Sequence, residues 1–153
     1  MKKYELTAEF IEKWGKKLFR IKALISFGSV EAGELGGYVE KEDNLAQDGD
    51  AWVYGNARVC DNARVCDNAD YLLIGRIGSR FSFTTFFKNK DKGITVSCGC
   101  FLGTIAEFRA KVTDTHGNNK HAKMYNLAAD MAELQILGEE HFDKLNTNKS
   151  EPF

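Results

Sequence analysis

A short glycine-containing segment at residues 75–80 carries two arginines and a serine, residue types that can bind an anion. Arg76 and Arg80 supply positive charge, and Ser79 supplies a hydroxyl donor beside backbone N–H groups that can converge on a phosphate. We expect Lys88, on the following predicted strand, to complete this candidate anionic-ligand site. A glycine-rich turn with two solvated arginines explains the same residues without a ligand and is the simpler interpretation.

Two further arginines, Arg58 and Arg64, recur six residues apart within nearly identical segments. This repetition favours a solvated face of the fold. In an oligomer the same side chains could line a groove between subunits, so both remain candidate ligand-binding or partner-binding residues.

Thiols and imidazoles in the C-terminal half suggest a second kind of chemistry. Cys98 and Cys100 alternate on a predicted strand, and with His116 and His121 they could bind zinc. Their spacing matches no standard zinc ligand set, and no flanking motif supports a nucleophilic pair of Cys98 with His116. We therefore expect no metal and no cofactor.

The region that must position the repeated arginines has a six-residue period from residue 49 to residue 70. Valine and alanine recur in separate columns, and Gly or Asp followed by Asp or Asn supplies turn residues. Such a period predicts a hexapeptide-repeat parallel β-helix with valine inside. Two short hairpins, with turns at residues 55–56 and 61–62, are the alternative. The columns are Ala51, Ala57, Ala63 and Ala69, and Val53, Val59 and Val65.

The flanking segments predict an α+β protein in which the short parallel β-helix is followed by a module of a β-hairpin and two helices. We assign residues 1–35 to an N-terminal capping segment, 36–70 to the β-helix and 71–153 to the C-terminal α+β module. In the capping segment, alternating apolar residues predict strands at 4–6 and 18–24, with a helical turn at 7–11 between them.

The C-terminal module is predicted to contain strands at 71–74, 81–88 and 94–101, and then two helices. Thr104 and Glu107 have the spacing of a capping box that opens the first helix. A second helix is expected over 120–141. Its predicted core stripe comprises Met124, Leu127, Met131, Leu134 and Leu137.

Composition limits the classes of partner. The chain has 153 residues, a formal net charge of −1 and an isoelectric point near 6.3, so nothing in its overall charge favours nucleic acid. We expect no signal peptide, and the sequence contains no apolar run long enough for a transmembrane helix. We expect a cytoplasmic protein of a bacterial host cell with reduced thiols and no membrane partner.

Residues 19–24, 27–28 and 33–45, followed by the Ala-Arg-Val repeats, resemble hexapeptide-repeat proteins of phages and prophages. They are also similar to bacterial YdcK-type proteins, which are labelled transferases from repeat homology alone. Residues 70–125 resemble a C-terminal module attached to such phage proteins. Acyltransferases of the hexapeptide class use a histidine at the prism, whereas His116, His121 and His141 all lie outside residues 1–70.

The resemblance implies a phage setting more than a chemistry. We expect a non-enzymatic phage or prophage accessory protein that binds a host protein or a small anionic ligand, with counter-defence as one such role. A degenerate acyltransferase is the alternative, and a structural or assembly factor is a third interpretation. Because a short β-helix leaves apolar ends, we also expect self-association, a homotrimer first and a dimer second.

Overall fold

The described residues form two four-stranded sheets followed by three helices, an α+β arrangement. The structure is a computed structural model that describes the backbone of residues 1–150 and the side chains of residues 1–145. The end of the predicted 71–153 module, residues 151–153, lies outside the described residues. No helix of the described chain is long and apolar enough to cross a membrane.

The first sheet is built on a long N-terminal hairpin. Its strands are β1 (Tyr4–Lys13), β2 (Lys16–Ala23), β3 (Leu35–Val39) and β4 (Arg58–Val59). β1 and β2 pair antiparallel through a two-residue turn at Trp14 and Gly15, whose φ values are 54° and 72°. Such turns match the right-handed twist of the flanking strands. β3 pairs antiparallel with β2, and the two-residue β4 pairs parallel with β3.

The second sheet is an antiparallel meander whose two faces belong to different cores. Its strands are β5 (Tyr71–Ile77), β6 (Ser82–Lys88), β7 (Ile94–Cys98) and β8 (Phe101–Thr104). Phe87 is fully buried against residues of the first sheet, and its neighbour Phe86 is fully buried against the helices. Since successive side chains of a strand point to opposite faces, the second sheet is the middle layer of the fold.

The helices cover the outer face of the second sheet. They are α1 (Ile105–His116), α2 (Lys120–Ala132) and α3 (Glu139–Ser150), with a π-helical turn at Glu133–Leu137. The predicted capping box is confirmed, because the Thr104 hydroxyl accepts from the Glu107 N–H at 3.1 Å and the Glu107 carboxylate accepts from the Thr104 N–H at 2.8 Å. Arg109 of α1 binds the carboxylates of Asp130 and Glu133, which joins α1 to α2.

The prediction of a parallel β-helix over 36–70 is wrong. The valine column is buried as expected, but parallel pairing within residues 1–150 is limited to β3 with β4 and one isolated bridge between Leu45 and Val65. In a β-helix each repeat pairs with the matching repeat of the next coil. Here the six-residue period stops at residue 70, where the chain enters an antiparallel strand, so few repeats have such a partner. Side chains satisfy the backbone instead: fully buried Asn44 accepts from two N–H groups and donates to the carbonyls of Asp61 and Ala63.

Three further expectations are corrected. The helical turn at 7–11 is part of β1, where a register shift between Leu6 and Phe10 interrupts the alternation of side chains. The third strand of the C-terminal module is two strands, β7 and β8, separated by a turn at 99–100. The second helix ends at Ala132, and the chain changes direction at Gly138, where φ is 96°.

The predicted core stripe of α2 lies on the outside of the molecule. Alanines form the buried face, and Leu137 alone of the predicted set packs against the second core. The predicted domain boundaries stay predictions. The first core, however, includes Tyr71 and Phe87 from beyond residue 70. The outward residues are Met124, Leu127, Met131 and Leu134, which are 37%, 65%, 50% and 42% exposed.

We predict that Cys60 makes the stability of the fold sensitive to alkaline pH. Burial, with the nearby charges of Glu40 and Asp61, raises the pKa of this thiol from 9.0 to about 12. Above pH 9 the unfolded chain loses this proton while the folded chain keeps it, so stability falls as pH rises toward 12, by up to about 1.4 kcal/mol per pH unit.

Cys60→Ala removes that loss. At neutral pH we expect the variant to be less stable than wild type by about 1–2 kcal/mol, because the thiol is fully buried. The difference in free energy of unfolding should then shrink as the pH rises above 9, in urea titrations at stepped pH. Two curves that stay parallel over that range would contradict the assignment.

Candidate functional site

The four residues predicted to form an anion site around the 75–80 turn do not come together. Arg76, Ser79 and Arg80 are exposed around the turn that links β5 to β6. Lys88 lies at the opposite end of β6, six residues from Ser82 and therefore about 20 Å along the strand. Its ammonium group lies 3.9 Å from the Asp70 carboxylate. The turn itself stays a predicted site.

The two repeated arginines have different surroundings. Arg64 is exposed, and its guanidinium donates to the carbonyl of Asp43 at 2.9 Å. Arg58 is half-buried in β4 and lines a cleft between the two sheets. The prediction that both arginines lie on a solvated face therefore fits Arg64 better than Arg58.

The cleft has a volume of about 200 Å³ and lies where the first sheet meets the second. The β1–β2 turn, β4, β6 and the end of β7 contribute to its walls. Arg58 is the one charged residue of this lining, and its guanidinium has no hydrogen-bond or ion-pair partner among the described residues. The lining includes Trp14, Asn56, Arg58, Ser82, Phe83 and Gly99, with Thr85 and Ser97.

Two hydroxyl groups fix the backbone of Arg58. Thr85 of β6 and Ser97 of β7 are direct cross-strand partners. The Thr85 hydroxyl accepts from the Arg58 N–H at 3.1 Å, and the Ser97 hydroxyl donates to the Arg58 carbonyl at 2.9 Å. The backbone hydrogen-bonding groups at the outer edge of β4 thus have partners although no further strand pairs there. The same two hydrogen bonds hold the Arg58 backbone in place, and with it the base of the arginine side chain.

Trp14 contributes a second polar group with no partner. It occupies the left-handed region, with φ of 54°, which is uncommon for a bulky residue and costs about 1–2 kcal/mol relative to the right-handed region. Its indole N–H is buried and has no hydrogen-bond partner. The two-residue turn requires a positive φ at this position, so the hairpin explains the backbone conformation and places the indole ring at the cleft.

The cleft therefore offers one charged donor among neutral polar groups. The Arg58 guanidinium can only donate, and Asn56 and Ser82 can donate or accept. Among the described residues that form the lining there is no carboxylate to neutralise the arginine. This arrangement favours an anionic guest, since carboxylates and phosphates accept such hydrogen bonds strongly.

The two imidazoles pack together, and Tyr125 lies between them and the Cys98 thiol. His116 and His121 lie 5.5 Å apart between ring centroids, and the Tyr125 ring stacks on His116 at 5.9 Å. Burial, with Cys98 beside it, raises the pKa of Tyr125 to about 12. Cys100 is exposed in the turn after β7. Within the described part of the chain, no three His, Cys, Asp or Glu residues are placed to hold a metal.

Sequence reasoning named Arg58 and missed the residues around it. Trp14, Asn56, Phe83 and Ser97 come from segments far apart in the chain, and no local motif connects them. The one available signal was the Trp14-Gly15 pair between two alternating segments, which is a hairpin-turn position. Comparison of the sequence with models of known protein families and with curated proteins finds no match.

We predict that Thr85 stabilises the fold through the Arg58 backbone. Thr85→Val keeps the shape of the side chain and leaves the half-buried Arg58 N–H without its acceptor, which should cost about 1–3 kcal/mol. Urea denaturation measures the loss, and faster hydrogen exchange of the Arg58 amide locates it.

Thr84→Val is the matched control. Thr84 is equally buried on the same strand, but its hydroxyl donates to the Cys98 sulfur at 3.1 Å, a weak acceptor. We expect a smaller loss of stability and no change in exchange at Arg58. Equal effects of the two substitutions would argue against a special role for the Thr85 contact.

Proposed function

We propose that this protein binds a small anionic ligand in the cleft between its two sheets. The observation that supports this most is the half-buried Arg58 guanidinium, which lines the cleft and has no partner among the described residues. Removing an arginine from water without a partner is costly, and an anionic guest offsets that cost. The indole ring of Trp14 lines the cleft, and its buried N–H, which has no partner among the described residues, would become a second donor if the ring turned toward the guest.

The size of the cleft restricts the guest. Its volume of about 200 Å³ is below the range of about 300–1,000 Å³ typical of drug-sized ligands. One phosphate or carboxylate group with a small attached body fits that space better than a whole dinucleotide. Trp14 and Phe83 supply aromatic surface, so a planar body beside the anionic group is the best match.

Binding without catalysis is the simplest role for this site. The described lining residues include no histidine, carboxylate or lysine to act as a general base, and the Cys98 thiol, which also lines the cleft, has no such base within the lining to form a nucleophilic pair. The alternative acyltransferase role was motivated by the parallel β-helix, which the chain does not form. The phage setting, a host-protein partner and a counter-defence role stay predictions, and each is compatible with sequestering a small phosphate-bearing molecule.

The test is to titrate the full chain with phenyl phosphate, inorganic phosphate and benzoate. Calorimetry measures the affinity, and the indole N–H resonances in NMR spectra report which tryptophan is affected. We expect phenyl phosphate to bind best and to shift the Trp14 indole signal, while the signal of Trp52, which is fully buried in the first core, stays in place. Arg58→Met should lower the affinity by about 10- to 100-fold, as expected for a charged hydrogen bond.

Arg76→Met with Arg80→Met is the matched control, because these arginines are exposed at the 75–80 turn outside the cleft lining. This double variant should bind like wild type. If it loses affinity and Arg58→Met does not, the site is the turn predicted from sequence and the cleft assignment fails. If none of the three probes binds, the anion-binding proposal itself fails.

Trp14→Phe tests the second donor separately. Phenylalanine keeps an aromatic ring at the turn and removes the N–H, so we predict a several-fold weaker affinity for phenyl phosphate with little change in thermal stability. Unchanged affinity, measured by the same calorimetry, would remove Trp14 from the list of ligand contacts.

A further inference from the structure

The outward face of α2 carries an apolar stripe that nothing in the described chain covers. Met124, Leu127, Met131 and Leu134 recur at intervals of three, four and three residues, so they lie along one side of the helix. The opposite side carries the alanines that pack on the second sheet. α3 packs against the π-helical turn rather than along α2, and it leaves the stripe open.

The stripe is complementary to itself. The order of intervals is the same in both directions, and methionine and leucine alternate along it. When a second copy of the helix is laid antiparallel against the first, Met124 of each copy faces Leu134 of the other, and Leu127 faces Met131. Intervals of three and four residues are those of helix pairs that pack side by side.

Charges at the two ends of the stripe favour the same orientation. Lys120 and Lys123 lie at the N-terminal end of α2, and Glu139 and Glu140 follow its C-terminal end. All four are exposed and have no ion pair within the described residues. An antiparallel pair sets each basic end against an acidic end, whereas a parallel pair brings like charges together. Antiparallel helix dipoles also attract.

We propose that two copies of this chain associate through α2 as an antiparallel, twofold-symmetric helix pair. Four apolar side chains from each copy form the centre of the contact, and the lysine and glutamate pairs close its two ends. The helical segment from 120 to 137 is only about 26 Å long, so the contact is small and the dimer is a weak, concentration-dependent one. This surface is separate from the Arg58 cleft.

The test is sedimentation velocity and light scattering of the full chain from about 5 to about 500 µM, the range in which a weak dimer dissociates. We expect the mass to rise from 17.2 kDa toward twice that value. Leu127→Asp should keep the chain monomeric across the whole range with an unchanged thermal midpoint, because Leu127 is exposed in the monomer. Leu35→Glu, an exposed apolar residue of β3, is the matched control and should dimerise like wild type.

Charge exchange tests the orientation. The variant Lys120→Glu with Lys123→Glu, and separately the variant Glu139→Lys with Glu140→Lys, should each dimerise about 10-fold more weakly than wild type, and their mixture should form mixed dimers at least as strong as wild type. In a parallel pair each variant alone would match wild type, since like charges already face one another there.

Three outcomes would overturn the proposal. These are a chain that stays at 17.2 kDa throughout the concentration range, a dimer that survives Leu127→Asp, and charge variants that match wild type. A monomer whose stripe residues are instead protected by vesicles or by a different protein would assign this face to another partner. Each of these results leaves the anion-binding cleft untouched, so the two proposals fail independently.

Discussion

β4 is two residues long, and its outer edge faces the second sheet without a strand to pair with. The carbonyl of Ala57 accepts from Tyr38 of β3 and that of Val59 accepts from Glu40 just after it, which leaves the N–H and the carbonyl of Arg58 pointing the other way. The hydroxyls of Thr85 and Ser97 satisfy both groups. Because unpaired buried backbone groups cost about 1–3 kcal/mol each, this contact decides where the two sheets can join. Further along the same junction, Arg64 donates its N–H to the carbonyl of Lys88.

The same requirement explains the irregular segment between β3 and β5. With little ladder pairing available, buried side chains take over the role of neighbouring strands. Asn44 makes four hydrogen bonds while fully buried, and the ammonium group of Lys3 donates to the carbonyls of Gly49 and Ala51. The valines then pack inward as the repeat requires. The repeat therefore determines which side chains are buried, and these polar contacts determine the path of the backbone.

The features that could be predicted from sequence are those that depend on residues close together in the chain. The capping box at Thr104 and the strand at 82–88 depend on neighbours within a few residues, and both were predictable. The helical turn at 7–11 was wrong because a bulge in β1 breaks the alternation by which a strand is recognised.

The stripe of α2 was assigned to the core because larger apolar residues were ranked above alanine. Phe86 of the second sheet and Phe108 of α1 already fill the second core. The face of α2 that packs against them therefore carries small alanine side chains.

The cleft could not be predicted because its residues meet only through the junction of the sheets. Arg58 was visible as a repeated arginine, but its distinction from Arg64 depends on contacts with strands that follow it in the chain. What sets the cleft apart is the contrast with its surroundings. The backbone of Arg58 is satisfied on both sides, while the guanidinium of the same residue and the indole N–H of Trp14 are left without partners. The indole N–H of Trp52 is likewise buried in the first core without a partner among the described residues, so the half-buried Arg58 guanidinium is the group that distinguishes the cleft. The proposed binding of an anionic guest therefore depends on Arg58, whose guanidinium is removed in part from water without an acceptor among the described residues.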